Sequence, residues 1–151
     1  MGILSLASGN SVWRGYEYFK NGKVIQTESV SDTEFTGKVS GSGNKVYDVK
    51  INTEHPRKSE CNCPHAKGKR IICKHQVALF FSAFPYEAER YYQEVIEYEE
   101  QEEKRQAEIE QKVIDYVCKL KKDELQQTLL ELLFDGPEWQ YERFIRQYIE
   151  L

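Results

Sequence analysis

Apolar and polar residues alternate along the chain with two different periods, and each change of period marks a predicted element. Near the start, apolar residues recur at intervals of three and four, which is the period of an amphipathic helix. They are Val12, Tyr16 and Phe19. A capping residue at Asn10 or Ser11 and a stop at Asn21-Gly22 predict a short helix between them.

Three extended runs follow this helix, at residues 23–30, 33–40 and 45–52. In the third run Tyr47, Val49 and Ile51 share one face, as alternate residues of a strand do. Gly, Ser, Asn and Asp residues supply turns between the runs. We therefore predict an antiparallel three-stranded meander that packs on the short helix.

The rest of the chain has a helical pattern. Apolar residues at helical intervals predict a helix over residues 74–84. They are Val77, Phe80, Phe81 and Phe84. After Pro85 no Gly or Pro occurs before Gly136, which is typical of long helices. We predict that residues 85–151 form an acidic helical hairpin or small bundle, with a solvated, highly charged stretch at residues 97–112.

Two close pairs of cysteine and histidine lie between the last predicted strand and the predicted helix. Cys61 and Cys63 are two residues apart, and in an extended chain such residues point to the same side. Cys73 and His75 lie where the helix begins, so His75 falls in its first turn. Three thiolates and one imidazole fill the tetrahedral shell that Zn²⁺ prefers and leave no open position for a catalytic water. The sequence therefore predicts one structural zinc ion, and an α+β domain over residues 1–84 that contains the zinc finger.

Other cysteines and histidines leave alternatives open. His65 lies close to the first pair and is an alternative ligand to His75. An oxidised pair of Cys61 and Cys73 is the alternative to metal binding, although clustered cysteines are more typical of metal ligands in a reducing compartment. For that reason we expect a cytoplasmic protein. Cys118 lies among apolar residues of a predicted helix, which predicts a buried free thiol.

The stretch CNCPHAKGKRIICKH has the pattern CxC, nine residues, then CxH, and it resembles the SWIM zinc finger. The resemblance to bacterial members extends over about residues 11–84 and rests upstream on short segments: Arg14-Gly15, Tyr18-Phe19, Gly22-Lys23-Val24, residues 38–42 and residues 47–49. It implies the same four ligands and a module that binds DNA or protein. Such fingers occur in or beside Swi/Snf-type ATPases, in transposase-related proteins and in some kinase and ubiquitin-ligase chains.

The net charge of −4 conceals a basic half and an acidic half. Residues 1–83 contain 12 Lys and Arg against 7 Asp and Glu, whereas residues 84–151 contain 9 against 18. A basic surface attracts phosphate groups, so we expect nucleic acid to bind at the zinc-bearing half. The candidate contacts are Arg57, Lys58, Lys67, Lys69, Arg70 and Lys74. The alternative is that these cations form a solvated surface that only balances the thiolates.

These patterns favour a zinc module that binds nucleic acid, with DNA as the expected class. The alternative is a protein-interaction adaptor, in which the acidic helices or the finger dock a partner such as a Swi/Snf-type ATPase and zinc is purely structural. No enzyme is expected, because the chain lacks a phosphate-binding Gly-rich motif, an HExxH helix and a plausible triad. No small-molecule substrate is identifiable, and no apolar run predicts a membrane span.

Overall fold

The computed structural model describes residues 2–149, and its sheet and helices give the predicted α+β fold. The helices are α1 (Ile3–Leu6), α2 (Gly9–Lys20), α3 (Lys74–Ala83), α4 (Pro85–Lys119), α5 (Lys122–Phe134) and α6 (Glu138–Tyr148). The strands are β1 (Val24–Ser29), β2 (Glu34–Ser40), β3 (Val46–Asn52) and β4 (Glu60–Cys61), with a short 3₁₀ helix at Pro56–Lys58. None of the helices within residues 2–149 has the length and apolar character needed to span a membrane.

The described residues divide into two units, residues 2–96 and residues 97–149. The sequence predicts domains at residues 1–84 and 85–151. A domain in that sense folds independently, which the division into units does not test, so these boundaries stay a prediction.

The sheet is antiparallel throughout, with the strand order β1-β2-β3-β4. Its first three strands form the predicted meander. The fourth strand, β4, has two residues and pairs Cys61 with Val49 of β3. A strand of two residues is too short to show alternation, so periodicity does not predict it. Because β4 ends at Cys61, the sheet itself carries the first predicted ligand.

Helix α2 begins earlier than predicted. The side-chain oxygen of Ser8 accepts a hydrogen bond from the N–H of Ser11 at 3.2 Å, so Ser8 is the N-cap. The predicted cap at Asn10 or Ser11 is therefore wrong. The end of the helix is as predicted, because Asn21 caps it and Gly22 has a φ of +64°, a conformation that glycine adopts without strain.

Helix α3 is the centre of the first unit and contacts both α2 and the sheet. Val77, Leu79 and Phe81 of α3 are fully buried. Each such side chain contributes roughly 1.5–3 kcal/mol through removal of apolar surface from water. The helix that supplies two of the predicted zinc ligands is thus held by the main hydrophobic core.

The start of the chain and the first turns of α4 complete this core. The hydrophobic pattern does not assign either segment to the finger. At the start of the chain, Ile3 of α1 is 1 % exposed, and Ala7 forms an isolated parallel bridge with Ile72. In the first turns of α4, Tyr92 stacks on Tyr16 of α2 with ring centroids 5.4 Å apart. Aromatic pairs of this kind contribute about 0.5–1.5 kcal/mol beyond their burial.

The second unit contains the remainder of α4 with α5 and α6, and it leaves most of its apolar side chains exposed. Within residues 97–149, Leu133 is the buried hydrophobic residue. Phe134 of α5 lies near Tyr141 of α6, with ring centroids 5.9 Å apart. Cys118 is exposed, so the prediction of a buried thiol is wrong. The reason is that the neighbouring apolar residues Val113 and Val117 are themselves exposed in this unit.

Candidate metal centre

Strand β4 and the turn after it position the first two predicted ligands. Cys61 is the last residue of β4, and it pairs with Val49 of β3. The chain turns back after Cys63, because the carbonyl oxygen of Cys63 accepts hydrogen bonds from the N–H groups of Ala66 and Lys67 at 3.1 and 2.9 Å. This turn and the sheet bring both sulfurs to one site.

The start of α3 positions the other two predicted ligands, Cys73 and His75, as the sequence predicts. Cys73 is the N-cap of α3, and its N–H donates to the side-chain oxygen of Gln76 at 2.8 Å. His75 lies in the first turn of the helix and is 4 % exposed. Because Gln76 is fully buried, this contact fixes the start of the helix in the core.

The four side chains form one buried cluster, in which all the ligand atoms lie within 4.8 Å of one another. The Sγ atoms of Cys63 and Cys73 are 3.8 Å apart, and Nδ1 of His75 is 3.8 Å from the Sγ atoms of both Cys61 and Cys73. A tetrahedral ion with Zn–S bonds of about 2.3 Å places two sulfurs about 3.8 Å apart. The donor set and its spacing therefore fit a single structural zinc ion, with His75 binding through Nδ1.

The structure shows neither of the two alternatives that the sequence leaves open. His65 is exposed and lies outside the group of four. Cys61 and Cys73 are both free thiols. The structure thus brings together the Cys₃His set and leaves His65 at the surface.

Proximity and burial make the thiols of the cluster unequal. The pKa of Cys73 falls to about 4, because the thiol of Cys61 donates a hydrogen bond to it and because His75 and the backbone N–H of Gln76 also favour the thiolate. The same hydrogen bond, together with burial, raises the pKa of Cys61. A second buried thiolate this close to the first needs a compensating cation, which a divalent metal supplies.

Aromatic rings surround the histidine ligand. The ring of His75 packs edge-on against Tyr18, with centroids 5.5 Å apart, and lies 4.6 Å from the centroid of Tyr47. Its Nε2 is buried and has no hydrogen-bond partner in residues 2–149. Packing between two rings therefore holds the imidazole with Nδ1 toward the sulfurs.

Through its hydrophobic pattern, the sequence indicates only one of the two tyrosines that pack against His75. Tyr47 alternates with Val49 and Ile51, and that pattern places it on the core face of β3. No periodicity identifies Tyr18 as a neighbour of His75, and the sequence indicates it only as part of the Tyr18-Phe19 segment of the SWIM resemblance.

Five of the six candidate phosphate contacts line one open groove of about 780 Å³. They are Arg57, Lys58, Lys67, Lys69 and Arg70. All five are exposed, and none forms an ion pair with another residue of the described chain. Lys38 and Lys50 line the same groove but are paired with Asp48 and Glu34, at N–O distances of 2.7 and 3.2 Å. The groove therefore holds five positive charges that form no ion pair within residues 2–149.

The sixth candidate, Lys74, does not line this groove. Its Nζ donates a hydrogen bond to the hydroxyl of Tyr18 at 2.7 Å and lies 4.2 Å from the centroid of that ring. The hydrogen bond from Lys74 lowers the pKa of Tyr18 because it favours the phenolate. Lys74 borders a separate cavity together with Arg14 and His65. The predicted set of six is thus divided between two surfaces.

Residues 47–84 match the family model of the SWIM zinc finger. The match covers about a quarter of the chain, and it includes all four residues of the cluster. Comparisons with curated proteins and with solved structures find no match.

Proposed function

Starting from the SWIM zinc finger at residues 47–84, we propose that the chain is a binding protein rather than an enzyme, and that its first unit binds nucleic acid. Four protein ligands complete the coordination of a zinc ion, which leaves no position where the metal activates a substrate. The role of zinc in this proposal is structural. Its binding holds the start of α3 and the turn after Cys63 together.

The observation that carries the proposal is the groove with five unpaired cations. Lys67, Lys69 and Arg70 lie in the loop between the two ligand pairs, so zinc binding fixes where this loop stands. Arg57 and Lys58 reach the same groove from the 3₁₀ helix before β4. Exposed cations with no acidic partner release counterions when they meet phosphates, and this release drives binding at low salt.

The groove supports contacts to the nucleic-acid backbone more than base recognition. Its lining also includes three carboxylates, those of Glu28, Asp48 and Glu60. Carboxylates repel phosphates, so the backbone of the nucleic acid follows the cationic residues and not the whole groove. Phosphate contacts position a protein on nucleic acid but carry no sequence information. The expected binding is therefore sensitive to salt and weakly dependent on sequence, with duplex DNA as the first class to test.

The test is a titration of zinc-loaded protein with a labelled DNA duplex over a salt series. One variant carries Lys67→Glu, Lys69→Glu and Arg70→Glu. A control variant carries Lys104→Glu, Lys112→Glu and Lys119→Glu, which makes the same change in net charge on exposed positions of α4. Each phosphate contact contributes about −0.9 to the slope of log affinity against log salt concentration.

We expect the groove variant to lose both affinity and slope, while the control variant retains a slope close to that of the unmodified protein. Equal effects of the two variants would show only a general response to net charge and would end the proposal. Zinc content is measured for every variant, so that loss of the metal is not mistaken for loss of phosphate contacts.

A second candidate function is favoured by a separate observation, the exposed apolar surface of the second unit. Leu129, Leu132 and Trp139 are 46, 56 and 61 % exposed. Exposed apolar surfaces of this kind mark protein interaction sites. Residues 84–151 contain twice as many acidic as basic residues, so a partner that fits this surface presents basic residues around an apolar face.

A purified Swi/Snf-type ATPase is the partner to test, because SWIM-type fingers occur beside such enzymes. Binding is measured by sedimentation with the unmodified chain and with a variant carrying Leu129→Ser and Leu132→Ser. The adaptor function requires a complex that survives moderate salt and is lost in the variant. The absence of a complex with the unmodified chain would remove this partner, and DNA binding would be unaffected.

A further inference from the structure

A second concave site lies beside the zinc cluster. It is a cavity of about 400 Å³, within the range of about 300–1,000 Å³ that is usual for small-ligand sites. The first turn of α2 borders it through Ser8 and Ser11, and α3 borders it through Lys74 and His75. The five groove cations do not line it.

The side chains around this cavity give it a positive character. Arg14 and Lys74 line it, and no Asp or Glu of the described residues does, although Cys63 and Cys73 of the zinc cluster line it too. The basic groove, in contrast, includes three carboxylates. Arg14 is exposed and forms no ion pair within residues 2–149. Lys74 is held in place by its hydrogen bond to Tyr18.

Uncharged donors add to this character. Ser8, Asn10 and Ser11 present the beginning of a 12-residue helix, where backbone N–H groups and the helix dipole favour anions. His75 also lines the cavity, but its Nε2 is buried and is not counted among these donors.

We propose that this cavity binds a phosphate group. The guanidinium of Arg14 and the ammonium of Lys74 supply the charged contacts, and the first turn of α2 supplies further donors. A zinc ion with three thiolates has a formal charge of about minus one, which opposes the binding of an anion. The two cations and the helix terminus outweigh it. Free phosphate and the phosphate of a nucleic acid share this chemistry, and the site does not depend on the groove.

The probe is inorganic phosphate, titrated into the zinc-loaded full chain at constant ionic strength while backbone amide signals are followed by NMR. We expect saturable shifts at Ser11, Arg14 and Lys74. Replacing Arg14→Gln weakens phosphate binding at least about tenfold, as expected for loss of a charge-assisted contact. Arg143→Gln, at an exposed position of α6 outside both the groove and the cavity, is the matched control and leaves this affinity unchanged.

Shifts that do not saturate, shifts confined to groove residues, or equal phosphate affinity in Arg14→Gln and the unmodified chain would overturn the proposal. Zinc content of Arg14→Gln separates phosphate binding from the simpler role of balancing the thiolates. If that variant loses zinc, the location of the shifts in the unmodified chain decides the question.

Duplex oligonucleotides then distinguish the two sources of phosphate. Weaker duplex binding by Arg14→Gln would assign the cavity to a nucleic-acid phosphate, whereas unchanged duplex binding would assign it to free phosphate. The variant with Glu at positions 67, 69 and 70 should still bind inorganic phosphate in the cavity. Failure of the groove proposal and failure of this one are thus separate results.

Discussion

Gly15 of α2 lies directly against Val77 of α3. A Cβ built on Gly15 would be 2.5 Å from the Cβ of Val77 and 2.9 Å from the carbonyl oxygen of Lys74. These distances are too short for any side chain, so the two helices meet at a point that only glycine allows. Because α3 begins with two of the zinc ligands, this contact also sets the position of the metal site.

Replacing Gly15 with Ala should therefore destabilise the first unit. Overpacking of a close contact costs about 1–3 kcal/mol, and here one of the obstructing atoms belongs to the backbone. Chemical denaturation of the zinc-loaded protein measures the change in the free energy of unfolding. Gly9→Ala is the control in the same helix, since a Cβ at Gly9 meets nothing within 4 Å. Equal stability of the two variants would show that α2 and α3 are less tightly apposed.

Removal of any one ligand should abolish stoichiometric zinc binding. A structural zinc ion contributes on the order of 10 kcal/mol of apparent binding free energy, which is comparable with the stability of a small domain. We expect Cys73→Ser and His75→Ala to lose zinc and the cooperative unfolding of the first unit. Elemental analysis of His65→Gln and Cys118→Ser should find one zinc ion per chain. Zinc retained by His75→Ala would restore His65 as a candidate ligand.

Zinc affinity should increase with pH. The raised pKa of Cys61 means that this thiol keeps its proton at neutral pH without metal, whereas Cys73, with a pKa of about 4, is already a thiolate. Zinc must displace the proton of Cys61, so apparent affinity rises about tenfold per pH unit for each proton released. Competition with a chelator at about pH 6, 7 and 8 measures this dependence. An affinity that does not vary with pH would contradict it.

The sheet should lose some stability in acid through Glu34. Its pKa is lowered because Asn52 donates a hydrogen bond to it at 3.0 Å and because Lys50 lies 3.2 Å away. The charged form is therefore favoured in the folded state. Its stabilising effect is complete above the unfolded carboxyl pKa of about 4.3 and is lost as pH falls through the lower folded value.

Glu34→Gln should accordingly be less stable than the unmodified chain at neutral pH, and the difference in stability should narrow as pH falls toward the folded pKa of Glu34. Thermal unfolding at neutral pH and at the lowest pH at which both chains retain zinc tests this, and an NMR titration of Glu34 measures its pKa. An unshifted pKa, or a stability difference that is independent of pH, would exclude the effect.

Amide hydrogens of residues 97–149 should exchange faster than those of the first core. Within that unit Leu133 is the buried hydrophobic residue, whereas the first unit buries a continuous cluster around α3. Helices with few buried apolar contacts open at a low free-energy cost. Hydrogen exchange followed by mass spectrometry compares the two units, and equal protection would show that the apolar faces are covered in solution.

The zinc cluster could be predicted from the sequence because each ligand pair is local. The start of α3 places Cys73 and His75 as the helical pattern predicts, whereas a two-residue strand and the turn after Cys63 place the first pair. The position of Lys74 is different. It is one residue from Cys73, yet it faces a cavity away from the other basic residues, because the first turn of α3 turns it toward Tyr18 of α2. Such a contact joins residues far apart in sequence, which periodicity does not reveal.

The second unit also shows what periodicity does not reveal. Apolar residues at helical spacing predict the helices correctly, but the spacing does not reveal whether a covering surface exists. The apolar neighbours of Cys118 predict a buried thiol, but those neighbours are themselves exposed, and so is Cys118.

Two contacts determine how long a fragment of the finger must be to fold. They are the bridge between Ala7 and Ile72 and the stacking of Tyr16 on Tyr92. A peptide cut at residues 47 and 84 would keep every ligand but lose α2 and the first two strands, which cover α3. Grafting the finger into another protein, or producing it as a minimal fragment, therefore calls for residues 3–92 as one continuous length.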